Sequence, residues 1–246
     1  MVLLAVFLLA LLNLNPAIHS VIINLDIQIA LKMNSLIGIN PFFDHALAWL
    51  STSTGDVFIL VCICLLFVTS SLHSANLNET TRRLSFWAWV GTLCLITYGI
   101  SCASEQFIKR DTPLLALHQL KNLQTICGTM FHSCPTSSFP SGHGFAYFFF
   151  AMMAWKRYFR ISLVLWCLAI IMLSLRLIIG LHWFSDIAFG SLFLSALLVT
   201  LIEDTPLKNT YKYTEQAVSY LIKTLLVGRE ELFEVCIPQN KHRRIN

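Results

Sequence analysis

Apolar residues in this chain fall into long blocks, and polar positions are confined largely to the gaps between them. A helix needs roughly 20 apolar residues to cross about 30 Å of hydrocarbon, and six blocks are candidate spans on that basis. The clearest are Phe86 to Ser104, Ile161 to Ile179 and Trp183 to Ile202. Thr54 to Leu72 follows, with an apolar centre from Val57 to Val68, and Gly142 to Trp155 is short enough to start at headgroup depth. The weakest block, Val2 to Ile23, is broken by Asn13, Asn15 and Pro16. A cleaved leader would need a positive segment ahead of it, and no Lys or Arg precedes the block.

Two further segments read as amphipathic helices at the membrane surface. Asn40-Pro41 is a good cap and first-turn pair, and Phe43, Ala46, Leu47 and Leu50 follow at helical spacing, with Asp44 and His45 on another face. Beyond Asp204-Thr205-Pro206 the composition turns polar, and Tyr213, Ala217, Tyr220, Leu221 and Leu225 form one stripe. The expected architecture is therefore all-α: an integral membrane bundle of about six transmembrane helices over residues 1–205, then an amphipathic cytoplasmic tail over 206–246.

Composition excludes the other classes. Hydrophobic residues make up 56% of the 246 and charged residues only 12%, about half the charged share of a soluble domain. The formal net charge of +4 is too small and too dispersed for a nucleic-acid partner; the expected partners are the bilayer and a lipid substrate. Arg82 and Arg83 follow the second span, and Lys156, Arg157 and Arg160 crowd the connection after the fourth. The bias of such cations toward the cytoplasm puts residues 24–53, 105–141 and 180–182 together on the external face. Cys127 and Cys134 lie in that external loop, where an oxidising compartment allows a disulfide between them.

Ionisable residues at membrane depth are costly, so each is a functional candidate. Lys109, Arg110, His143, Arg176, His182 and Asp186 all fall at external helix ends. His182 and Asp186 are four apart at a helix start, so one face can bring the carboxylate to one ring nitrogen and leave the other for nucleophilic or base chemistry. Pro140-Ser141-Gly142-His143 opens a helix whose first amides, with the Ser141 hydroxyl and close approach at Gly142, form an anion site. Amides, cations and a histidine are what phosphoryl transfer without a metal requires. His143, His182 and Asp186 also suit a metal, but a divalent ion beside Arg176, Lys109 and Arg110 would be repelled; no metal and no cofactor are expected. A proton-relay transporter or lipid-binding protein is the competing class.

These residues resemble the type 2 phosphatidic acid phosphatase and haloperoxidase superfamily. Its second motif is complete at Pro140 to His143, and its third matches at Arg176, His182 and Asp186, with Leu175 in place of the usual Ser. The first motif departs: Lys109 and Arg110 are adjacent and Pro113 follows three residues later, a form that looks like the lipid A 1-diphosphate synthase branch. The resemblance implies that His182 is the nucleophile, Asp186 its orienting partner and His143 the proton donor. It further implies that Lys109, Arg110, Arg176 and the amides around Ser141 and Gly142 hold phosphate. It also implies a multi-pass protein of the bacterial inner membrane that acts at the periplasmic face on a lipid phosphate or diphosphate, with undecaprenyl diphosphate the leading donor and lipid A a candidate acceptor. Hydrolysis and transfer both remain open.

Overall fold

The computed structural model describes residues 16–74, 76–104, 109–128, 137–139 and 141–236, with side chains outside 100–104 and 226–236. Every regular element among them is helical. Helices α1 (Pro16–Asn34), α2 (Pro41–Leu50), α3 (Ser53–Leu72) and α4 (Leu77–Ser104) are followed by the short α5 (Pro113–Ala116) and α6 (Leu123–Cys127). Then come α7 (Gly142–Ala154), α8 (Phe159–Ile179) and one continuous helix, Asp186–Asp204, of which Asp186–Phe193 is π-helical and Leu194–Asp204 is α9. A 3-10 turn, Pro206–Thr210, leads into α10 (Tyr211–Cys236).

Three helices among the described residues, not six, are long and apolar enough to cross a membrane: Ser53–Leu72, Phe159–Ile179 and Asp186–Asp204. The reasons differ for the other blocks. At 13 residues, α7 rises only about 20 Å. The first turns of α4 carry Glu79, Arg82 and Arg83, and its last five side chains lie outside the described residues. Residues 2–15 of the first block also lie outside them, and the remainder falls in α1, which runs past Ile23 through the charged positions Asp26 and Lys32.

Asn40 caps α2 as its sequence predicts, its Oδ1 accepting from the Phe42 and Phe43 amides at 2.9 and 3.3 Å. The helix is not purely interfacial, however. Leu47 and Ala48 are buried in a cluster with Ile37, Leu123, Ile178, Ile179 and Leu181. Asp44 can turn inward because the Gly38 N–H donates to both of its carboxylate oxygens, at 3.0 and 3.2 Å.

Two features place the ends that matter for function. The last turn of α8 closes at Gly180, in the left-handed region at φ +81, where a side chain would be strained. Its N–H and that of Leu181 satisfy the final carbonyls of the helix, and the Gly180 carbonyl accepts from Leu114 N at 3.0 Å. The start of α7 is held by the last long apolar helix: Ser191 Oγ donates to Ser141 O at 2.9 Å, and Ser195 Oγ donates to Phe145 O at 3.1 Å.

The chain divides into two compact units. One gathers the described residues up to Leu65 with Val90–Lys208, and the other joins Leu66–Trp89 to the chain from Asn209 onward. In the second unit Trp89 Nε1 donates to Thr210 Oγ1 at 2.8 Å, Tyr211 Oη donates to Arg82 O at 3.0 Å, and the Phe67 and Trp87 rings stack. The expected tail from residue 206 is thus helical, but from Asn209 onward it belongs with a segment some 120 residues earlier in the chain.

Candidate active site

His182 lies in the tight connection between α8 and the π-helical segment, 8% exposed. Its Nδ1 is 2.7 Å from the carbonyl oxygen of Ser138. A carbonyl only accepts, so Nδ1 carries the proton and the neutral ring presents its Nε2 lone pair. Burial pushes the imidazole down to about 4, with the positive charges of Arg176 and His143 acting in the same direction and the Ser138 hydrogen bond opposing them.

The expected His182–Asp186 pairing is replaced by a different one. Four-residue spacing brings side chains together only along a continuous helix, and His182 precedes the helix. Asp186 instead turns back over its own N-terminus: Oδ2 accepts from the Trp183 amide at 2.9 Å, and Oδ1 accepts from Arg110 Nη1 at 2.5 Å. Arg110 reaches a second carboxylate with Nη2, 2.7 Å from Asp26 Oδ2, and its Nη1 also donates to Ser185 Oγ at 2.8 Å. The Trp183 ring lies 5.4 Å from its guanidinium carbon, and Trp183 Nε1 donates to Asp111 O at 2.8 Å. Arg110, expected on phosphate, is therefore engaged by Asp26 and Asp186.

A second ionic group stands at the starts of α3 and α7 and the end of α8. Arg176, in the last turn of α8 and 7% exposed, donates from Nη2 to Asp56 Oδ1 at 2.6 Å. The other oxygen of Asp56 lies 3.3 Å from His143 Nε2. One carboxylate thus holds both the candidate proton donor and a candidate phosphate ligand.

Ser141 is the N-cap of α7, its Oγ accepting from the Gly144 amide at 3.4 Å, and Gly142 and His143 form the first helical turn. A Cβ at Gly142 would stand 2.6 Å from the Tyr98 ring, so only glycine fits without displacing that ring. Lys109 is exposed, and among the described residues it has no hydrogen-bond or ion-pair partner. Pro140 and Cys134 lie outside the described residues, and with Cys134 so does the Cys127 to Cys134 bridge. Among the described residues no three His, Cys, Asp or Glu side chains are grouped to hold a metal.

Sequence reasoning missed Asp26, Asp56 and the Ser138 carbonyl. Asp56 carried a signal, being a carboxylate at the edge of an apolar block, the situation that marks a residue for function. Asp26 carried a weaker one, just past the end of an interrupted block. The Ser138 carbonyl carried none, because every residue has one.

Residues 86–210 match the family model of the PAP2 superfamily. The chain is also similar to lipid A 1-diphosphate synthase of Escherichia coli (strain K12), with 24% identity over 103 residues. That alignment covers 42% of this chain and 44% of the relative, so less than half of each is compared. No solved structure matches the chain.

Proposed function

We propose, on the premise that this chain belongs to the PAP2 superfamily, that it is a lipid phosphatase or phosphotransferase working through a phosphohistidine on His182. The observation that carries the reading is the 2.7 Å contact of His182 Nδ1 with the Ser138 carbonyl. A proton held on Nδ1 leaves the lone pair of Nε2 free, so a nucleophile is ready without a proton transfer.

In the first half-reaction the Nε2 lone pair forms a bond to phosphorus as the bond from phosphorus to the leaving oxygen breaks. His143, held through Nε2 by Asp56, gives its proton to that oxygen. The Arg176 guanidinium, the Lys109 ammonium and the amides that open α7 bear the charge on the remaining oxygens. In the second half-reaction His143 takes a proton from the acceptor, the acceptor oxygen attacks phosphorus, and the electron pair of the P–N bond returns to Nε2. Water as acceptor makes the enzyme a phosphatase; a lipid hydroxyl or phosphate makes it a transferase. None of these steps calls for a metal or cofactor, because the cations and amides supply the neutralising charge.

A phosphate site at the ends of membrane-length helices suits a lipid that keeps its tail in the bilayer. Undecaprenyl diphosphate is the proposed donor, with lipid A as the proposed acceptor, in line with the named activity of the E. coli relative. The proposed location is the inner membrane, with the site open to the periplasm as the loop cations suggest. Detergent-solubilised protein given terminally labelled undecaprenyl diphosphate, with and without lipid A, should release label as phosphate or pass it to the acceptor. His182→Ala should lower that turnover by about a thousandfold or more, and orthovanadate should inhibit the wild type. Undiminished turnover in the variant would overturn the mechanism.

A further inference from the structure

Asp26 sits in the interior of α1, flanked by Leu25 and Ile27, and is 1% exposed. Both oxygens of its carboxylate are engaged: Oδ1 accepts from the Ser185 amide at 2.8 Å, while Oδ2 accepts from Ser185 Oγ at 2.5 Å and from Arg110 Nη2 at 2.7 Å. Two routes lead from these contacts to His182. On one side, Ser185 adjoins Asp186, which accepts from the amide of Trp183, the neighbour of His182. On the other, the Arg110 carbonyl accepts from the Ser138 amide at 2.7 Å, and the Ser138 carbonyl accepts from His182 Nδ1 at the same distance. The contacts close a ring from Asp26 through Arg110 and Ser138 to His182, and back through Trp183, Asp186 and Ser185.

A buried ion group is a poor source of net stability, since apolar residues of similar size often serve as well or better. What it supplies is registry, because each hydrogen bond holds one atom at one place. We propose that Asp26 is a positioning residue for His182, holding Arg110 and Ser185 so that both sides of the nucleophile's turn are fixed. It touches neither substrate nor reacting atoms and acts through the ring. The inference rests on His182 being the nucleophile, as proposed above.

Misplacing a reacting group by about 1 Å can cost on the order of a hundredfold in rate. Asp26→Asn in the detergent-purified full chain is therefore expected to lower kcat by about tenfold to a hundredfold, with KM within about threefold of wild type. Arg110→Gln should lower kcat as well, and the double variant should be about as slow as the slower single variant, because both changes open the same ring. A purely structural support would give rate losses that multiply. If Asp26→Asn does not fold, as judged by thermal unfolding, Ser185→Ala carries the test with a fall in kcat of about threefold to tenfold at unchanged KM. An active wild type whose kcat is untouched by Asp26→Asn, or by Ser185→Ala where that variant carries the test, overturns this inference alone, as do multiplying losses. A wild type that turns over no lipid phosphate overturns the functional reading, and this inference with it.

Discussion

Two ionic groups flank His182, and they are built with opposite stoichiometry. Around Asp56 one carboxylate is shared by Arg176 and His143. Around Arg110 one guanidinium is shared by Asp26 and Asp186. The first is net positive whenever His143 is protonated, and it is half open: the His143 and Asp56 side chains are 38% and 27% exposed. The second is net negative and closed around its carboxylates, which are at most 2% exposed. A phosphate is attracted to the first group and repelled by the second. The difference teaches that the two arginines are differently employed: Arg176 shares its carboxylate with a half-exposed histidine, whereas Arg110 ties together two buried carboxylates beside the turn that carries His182.

The sharpest way to break this comparison is to remove the shared carboxylate of the open group. Asp56→Ala should cost about a hundredfold to ten-thousandfold in kcat, the range that a positioned general acid contributes, and should lower the melting temperature as well, because Arg176 is left buried without its carboxylate. Phosphate-release kinetics alongside a melting curve read both quantities. An unchanged kcat would mean that His143 needs no orienting partner.

Arg110→Ala should lower kcat too, but its larger mark is expected on stability. Removing one guanidinium strands two buried carboxylates, and stability should fall by about 3 kcal/mol, read as a drop in melting temperature. If Arg110→Ala melts like the wild type but loses affinity for orthovanadate, the guanidinium serves the anion after all and the contrast between the groups collapses.

The mildest test concerns the imidazole between them, and at neutral pH its effect is nil. Burial lowers His182 from 6.5 to about 4, so between those values the unfolded chain binds a proton that the folded chain refuses. The stability of the neutral buried ring is whole above pH 6.5 and drains away as pH falls toward 4. Melting temperatures of wild type and His182→Gln across that window should diverge, with the wild type falling more steeply; parallel curves would mean that the ring is not protected.

Much of this site was legible in the order of residues. Ser141, Gly142, His143, Arg176 and His182 announce themselves because helix amides and cations at membrane depth have few other uses, and Gly180 marks the turn that joins two of the long apolar helices. The span count was less legible. Length and composition divide α4 from α3 and α8, and a 13-residue helix such as α7 reads as a span only if its neighbours are assumed to share its depth. Partner choice was the least legible. Spacing suggested that Asp186 would hold His182, yet the helix starts too late for that rule, and the carboxylate caps its own first turn instead. Asp26 lies 84 residues from the arginine it binds, a separation that no local pattern encodes.

The Ser138 carbonyl has a consequence for how this protein tolerates change. A side-chain partner for His182 would be exposed to a single codon substitution, whereas a main-chain oxygen survives replacement of its residue by any amino acid that leaves the backbone in place. Ser138 is fully buried, so bulk alone restricts what can stand there. The tautomer of His182 is thus insured against chemistry-altering substitution at position 138 and vulnerable only to displacement of the backbone segment that carries it.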